Sequence, residues 1–192
     1  MLKLRFLFTV AVTLVLTAVV VLIQPARGAA GLNIPVNLTA MNGVGASVGS
    51  INVRNTQYGL LLTPNLRGIT PGLHGFHVHQ NPDCGPAEKN GAIVPGLAAG
   101  GHFDPRQSGN HEGPYGEGHL GDLPPLYVGP DGVANVPVLA PRLAVSDVWG
   151  RSLMIHARGD NFSDTPSPLG GGGPREACGV MGSRLDGLSR LR

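Results

Sequence analysis

The sequence predicts an all-β sandwich or barrel, and three observations carry that expectation. Glycine and proline are abundant, at 30 and 17 of 192 residues, so turns are frequent. No long helical periodicity follows the N-terminal segment. Short runs of β-branched or alternating residues recur instead, each bounded by Gly, Pro, Asn or Asp, as half-buried strands joined by turns require.

Residues 1–28 stand apart from this pattern. Lys3 and Arg5 precede an apolar run from Phe6 to Ile23, and small residues follow around Ala26, Gly28 and Ala29. A basic start, an apolar stretch and a small-residue site make an export signal, with residues 29–192 as the exported domain. The run of roughly 18 apolar residues also just reaches membrane-spanning length, so retention as an anchor is the alternative. The expected strands then follow in order: Pro35–Ala40, Ser47–Asn55, Gly59–Leu66, Gly75–Gln80, Leu126–Val128, Val133–Val138 and Ser152–Ala157. Asp131–Gly132 is a hairpin signal between Leu126–Val128 and Val133–Val138. Residues 81–125 and 159–176 read as two long loops, and loops of that length in one compact domain are commonly functional. Residues 182–192 read as a loosely held tail, and no repeat or linker divides the chain.

Charge excludes one class of partner. The signal segment holds Lys3, Arg5 and Arg27 and no acid, so without it Lys+Arg falls from 14 to 11 against 12 Asp+Glu. Net charge then passes from +2 to −1. A basic field for nucleic acid is absent from the exported part. Two cysteines, Cys84 and Cys178, suggest one disulfide in an exported chain, free buried thiols being the alternative. Such a bridge closes about 94 residues and is worth roughly 4–5 kcal/mol by chain entropy.

The seven histidines are grouped. His77 and His79 flank Val78, and on a strand positions i and i+2 face one side, so both imidazoles can meet one metal. His102, His111, His119 and Asp122 fall in one loop rich in turn residues. Three imidazoles and a carboxylate suit a closed tetrahedral zinc site. His156 ends an apolar run, Ser152–Ile155; alone it reads as a core histidine, and only the need of His77 and His79 for partners makes it a ligand candidate. All-imidazole coordination suits copper as well as zinc.

Six ordered strings resemble the copper–zinc superoxide dismutases, and within them the bacterial periplasmic branch: GLHGFHVH (72–79), NPDCGP (81–86), AAGGHFDP (98–105), GHLGDLP (118–124), LMIHARGDN (153–161) and LGGGGPREACGV (169–180). The resemblance spans about Leu32 to Gly182. It implies a flattened eight-stranded antiparallel Greek-key barrel with two long functional loops. It further implies one copper and one zinc per chain, with His77, His79 and His156 on copper, His102 bridging the two metals, and His111, His119 and Asp122 on zinc. Asp160 is implied as the outer carboxylate joining a copper-side and a zinc-side histidine, taken as His79 and His111. Cys84 is implied to pair with Cys178, and Arg175 to stand at the mouth of the copper channel. His74 is implied to be structural and not a ligand.

The activity so implied converts two superoxide ions and two protons to oxygen and hydrogen peroxide. Copper cycles between oxidation states, zinc is structural, and His102 releases copper and carries a proton in each cycle. Superoxide is the expected substrate, periplasm the expected location, and a homodimer a possible assembly. A membrane partner is expected only if the N-terminal segment is retained, which would place the domain on the outer side of the cytoplasmic membrane. The rival is a non-catalytic metal-binding relative, which would be expected to lose a copper ligand or the arginine; every matching position is filled here. A hydrolytic zinc enzyme needs an open zinc position, which three histidines and Asp122 would fill. Glu176 stands where the family often has an apolar residue: facing the channel it would oppose anions, facing away it would be neutral. Trp149 reads as a loop residue. Asn37 and Asn161 open formal glycosylation sequons that matter only outside a bacterial source.

Overall fold

A computed structural model describes residues 31–182; the export signal and the C-terminal tail expected above lie outside the described residues. Strand β1 (Leu32–Ala40), β2 (Gly43–Thr56) and β3 (Gly59–Arg67) form an antiparallel meander. Next come β4 (Gly72–His74), β5 (Phe76–His79), β6 (Ala87–Lys89) and β7 (Ala92–Val94). After the long loop come β8 (Leu126–Val128), β9 (Val133–Ala134), β10 (Val138–Ala140), helix α1 (Val145–Val148), β11 (Arg151–His156) and β12 (Arg175–Met181). The main sheet has eight strands, ordered β10-β3-β2-β1-β12-β11-β5, with β9 also on β3. Every pairing in it is antiparallel.

The sheet curls, and the ribbon β4–β8 links its two ends. β4 continues into β5 through Gly75 alone, and a turn joins β8 to β9 on β3. Burial explains the curl. Alternate residues of each strand, among them Ile34, Val36, Ile51, Val53, Leu60, Leu62, Leu66, Phe76, Val78, Leu153 and Ile155, point inward into one apolar cluster. Leu123, Leu126 and Val128 cap that cluster from the ribbon side. Each fully buried leucine or isoleucine contributes roughly 1.5–3 kcal/mol over its exposed state.

Departures from the expected elements have local causes. The stretch 133–138 is two strands, β9 and β10, which pair with opposite ends of β3. Pro137 has no N–H to give to a ladder, and Pro64 of β3 lies opposite the gap between them, so neither proline breaks a needed bond. The Asp131–Gly132 turn forms, with Gly129 N–H on the Val133 carbonyl at 2.8 Å, but no hairpin follows. Its flanks belong to different partners, β8 to β4 and β9 to β3. The segment 81–125 also contains a small hairpin, β6–β7, turned by Asn90 (φ 53°) and Gly91 (φ 79°), the Asn-Gly signal of a two-residue turn. β12 begins at Arg175, inside the region read as loop. Trp149 ends α1 and is half-buried.

Cys84 and Cys178 are joined, with Cα atoms 5.7 Å apart. The bridge ties the start of the long loop to the middle of β12, and it packs with Ala99 and Met154 in a second buried cluster.

Candidate metal centre

The site forms because the long loop pairs with the free edge of β5 twice. Residues 100–103 lie along it through Gln80 N–H to the Gly101 carbonyl and Phe103 N–H to the Val78 carbonyl, at 3.0 and 2.8 Å. Residues 121–123 do the same through Val78 N–H to Gly121 and Leu123 N–H to Phe76, at 2.8 and 3.2 Å. These bonds set His102 opposite His79 and Asp122 opposite His77. On the other edge, β11 pairs Met154 with His77 and Ser152 with His79, and His156 closes its end. Alternation along β5 sends Phe76 and Val78 into the core, and His77 and His79 to the other face.

All six candidate histidines and Asp122 are buried. The ring nitrogens divide into those held by protein and those left over. His77 Nε2–H donates to Asp160 Oδ2 at 2.7 Å, which leaves Nδ1. His79 Nδ1–H donates to the Gly100 carbonyl at 2.9 Å, and His156 Nδ1–H to that of Gly173 at 3.0 Å, which leaves Nε2 in each. His111 Nε2–H donates to Asp160 Oδ1 at 2.8 Å, leaving Nδ1. Such second partners fix the tautomer and aim the free nitrogen. His77 Nδ1, His102 Nε2, His111 Nδ1, His119 Nδ1 and Asp122 Oδ2 are buried with no hydrogen-bond partner. Five orphaned donor atoms in one place fit an ion, because a buried polar group without a partner is costly.

The leftover atoms fall into two groups. In His77, His79, His102 and His156 one ligand atom from each lies within 4.8 Å of the others, and His79 Nε2 is 3.4 Å from His156 Nε2. In the second group Asp122 lies 2.9 Å from His102 Nδ1, 2.9 Å from His111 Nδ1 and 3.6 Å from His119 Nδ1. Donors bonded to a tetrahedral zinc at about 2.0–2.1 Å stand roughly 3.3 Å apart, so these spacings suit zinc. His77 also falls within 4.8 Å of His102, His111 and Asp122, but it has one free nitrogen and can serve one metal. His102 also belongs to both groups, but with Nδ1 on Asp122 and Nε2 buried without a hydrogen-bond partner it has a nitrogen to offer on each side of its ring.

Electrostatics keep the first group neutral. Burial, with His102 next, holds His77 and His79 well below the ordinary imidazole range. Burial lowers His156 to about 4, with His102 and Arg175 adding to it against the Gly173 bond. Neutral imidazoles keep the lone pair that a metal needs. Burial also pulls His111 down, but the Asp122 and Asp160 carboxylates beside it outweigh this and raise it to about 9. Burial opposes ionisation of Asp122 and Asp160, yet the histidine bonds hold both below the usual carboxylate range.

One expected link is corrected. Asp160 joins His77 to His111, not His79 to His111. His79 spends its spare nitrogen on Gly100, and on β5 it lies two residues away from the Asp160 side. The bridge still connects the two groups. His74 is no ligand: its ring nitrogens face the His156 and Thr70 carbonyls at 2.6 and 2.7 Å. Arg175 donates to the Gly96 and Gly100 carbonyls at 2.8 and 2.6 Å, and Gly100 is also the partner of His79. Its charge is felt at both His79 and His156. Glu176 faces away, accepting from Thr70 N–H and Oγ1 at 3.0 and 2.7 Å, with Oε2 3.4 Å from His74. Sequence reasoning missed Asp164, which accepts from His111 N–H at 2.9 Å and Leu169 N–H at 3.0 Å and ties one loop to the other. No linear signal marks it, since its partners are 53 and 5 residues away.

Comparison with known proteins places the chain in a family. The family profile described as copper/zinc superoxide dismutase matches residues 47–181. A copper–zinc superoxide dismutase of Salmonella typhimurium is 53% identical over 154 residues, which is 80% of this chain and 89% of that protein. One from Pasteurella multocida is 59% identical over 136 residues, 70% of this chain and 73% of that protein. The solved Cu/Zn superoxide dismutase of Brucella abortus superposes with a TM-score of 0.77 at 48% identity, covering 79% of this chain and 99% of its own. With a family profile matched over most of its length and relatives more than half identical, the chain belongs to the copper/zinc superoxide dismutase family.

Proposed function

We propose that this chain disproportionates superoxide to oxygen and hydrogen peroxide at a copper–zinc pair. His77, His79, His102 and His156 would hold copper; His102, His111, His119 and Asp122 would hold zinc. Copper, when bound, supplies the one-electron couple, and zinc supplies a fixed charge without redox chemistry. The observation that carries the reading is His102, which lies in both groups with Nδ1 on Asp122 and Nε2 left without a partner. Nε2 of that ring could hold a proton when it holds no metal, while Nδ1 stays on Asp122, so His102 would be able to supply one of the two protons the reaction consumes. Arg175 is half-buried and spends its donors on carbonyls, not carboxylates, so its charge remains available to draw in a small anion. Glu176 does not oppose it, because it turns to Thr70.

We also place the domain outside the cytoplasm, in the periplasm if residues 1–28 are removed and tethered to the membrane if they are kept. The similar proteins named above are bacterial, and one disulfide suits an oxidising compartment. Among the described residues no helix is long and apolar enough to cross a membrane.

The test is metal analysis and a superoxide-removal assay on the exported protein, with His102→Ala beside it. One copper and one zinc per chain with activity is expected, and His102→Ala should alter the copper spectrum and abolish turnover. Fully metallated protein without activity, or an unchanged copper spectrum in the variant, would refute the reading.

A further inference from the structure

We propose that Arg142 is a positioning residue for the zinc half of the site, an inference that rests on the reading of His119 as a zinc ligand. Arg142 lies just after β10, far in sequence from any ligand. Its half-buried guanidinium reaches beneath residues 113–119 and meets four carbonyls of that one segment. Nε donates to Pro114 at 3.0 Å and Nη1 to Gly118 at 3.3 Å, while Nη2 donates to Gly113 at 3.1 Å and His119 at 2.6 Å.

The segment needs such a clamp. It contains Gly113, Gly116 and Gly118 and belongs to no strand or helix. Its carbonyls converge on one centre, and parallel dipoles aimed inward repel one another unless a cation lies between them. Among the described residues Arg142 makes no ion pair, so its donors go to shaping backbone, not to cancelling a charge. The shortest bond is the telling one. The His119 carbonyl accepts both from Arg142 and from Asp122 N–H, at 3.3 Å. A single oxygen held by the guanidinium therefore fixes the backbone between two zinc-site residues. The histidines assigned to copper alone depend on no such contact, since His77, His79 and His156 stand on β5 and β11. Lysine is no equivalent, for an ammonium lacks the planar fork that reaches four oxygens at once.

The experiment uses the exported chain with Arg142→Met and Arg142→Lys, the lysine variant keeping the charge should the methionine variant fail to accumulate. Three readouts are taken: zinc release to a chelator, the visible spectrum of Co2+ placed in the zinc position, and copper retention. We expect zinc release about ten- to a hundredfold faster, a cobalt spectrum displaced from the wild-type tetrahedral bands, and copper held as in wild type, with Arg142→Lys restoring only part. Wild-type zinc release and cobalt bands in a variant overturn the inference, as does loss of copper in step with zinc. Wild-type protein that takes up no cobalt, or whose cobalt binding survives His119→Ala, overturns the assignment of His119 itself.

Discussion

Asp160→Asn should cost the zinc site more than the copper site. The carboxylate accepts His77 Nε2–H at 2.7 Å and His111 Nε2–H at 2.8 Å, one on each oxygen. An amide offers one accepting oxygen and an NH2 group, so one histidine must face a donor. That ring either loses its bond or moves its proton to Nδ1, the only atom it has for a metal. A hydrogen bond to a charged partner is worth about 1.5–3 kcal/mol, which is roughly 10–150-fold in affinity. The two rings are not equally able to resist. His77 sits on β5, paired on both sides and stacked on His102 at 3.9 Å between centroids. His111 sits on a loop whose fixed points are Asp164 at the backbone and Asp160 at the ring. The loss therefore falls on His111, and zinc affinity, read by competition against a chelator of known strength, should drop by that factor while copper affinity changes less. Gly170→Ala is a second route to the same result without removing a carboxylate. Gly170 has φ 71°, and a Cβ there would lie on Asp160 Oδ1 and 2.8 Å from His111 Nε2. Zinc affinity unchanged in both variants, or copper affinity reduced more than zinc in Asp160→Asn, would refute the reasoning.

Arg175→Ala should lower the rate about tenfold or more and flatten its dependence on ionic strength, with metal content intact; kinetics across a salt series check this, and loss of metal would mean the residue holds the site together. Replacing Cys84 and Cys178 by serine should lower unfolding stability by roughly 4–5 kcal/mol, since the bridge closes 94 residues; denaturant titration reads it, and a change under about 1 kcal/mol would show the bridge adding little beyond the packing of Ala99 and Met154. Removing zinc with a chelator should speed amide exchange first in residues 104–120 and leave β5 and β11 protected; uniform exchange across both would contradict a loop that depends on its metal.

How much was legible in the sequence follows from range of interaction. Strands β1, β2 and β3 came through because alternating residues face one buried side, and β11 because a short apolar run is buried on both faces, both of them local patterns. The candidate set of six histidines and Asp122 came from clustering and from motif, though residues alone supported only a zinc loop and a weak His-x-His; copper came from the resemblance. The β6–β7 hairpin was missed although Asn90–Gly91 announced it, because the histidine-rich composition around it dominated the reading. The split at Pro137 needed knowledge of what lies opposite, which no local pattern holds. The partner of Asp160 was misassigned because the choice between His77 and His79, which share one face, is set by which end of β5 the loop 158–173 meets, and Gly75 N–H on the Arg158 carbonyl puts it at the His77 end. Glu176 was undecidable for the same reason: its neighbour Thr70 is 106 residues away.

The two halves of the centre are built on different principles, and that difference suits the roles proposed for them. His77, His79 and His156 arrive already ordered, because β5 and β11 must form to bury Phe76, Val78, Leu153 and Ile155. Their orientation costs nothing beyond the fold. His111 and His119 lie between the two points where the loop pairs with β5, and ordering each residue of such a segment opposes folding by roughly 1–2 kcal/mol. The Gly-rich turn cannot offset that from packing, for it buries little apolar surface. Fixed charges do so instead: Asp164 on the His111 amide, Asp160 on its ring, and Arg142 on four carbonyls. A redox ion needs donors that hold still as its charge changes, which strands provide. A structural ion can supply the ordering its own loop lacks. His102 belongs to both, since the bridge to His79 places it on the sheet while Asp122 holds its other nitrogen in the loop. It is therefore the ring through which a disturbance of the zinc loop would reach the copper side.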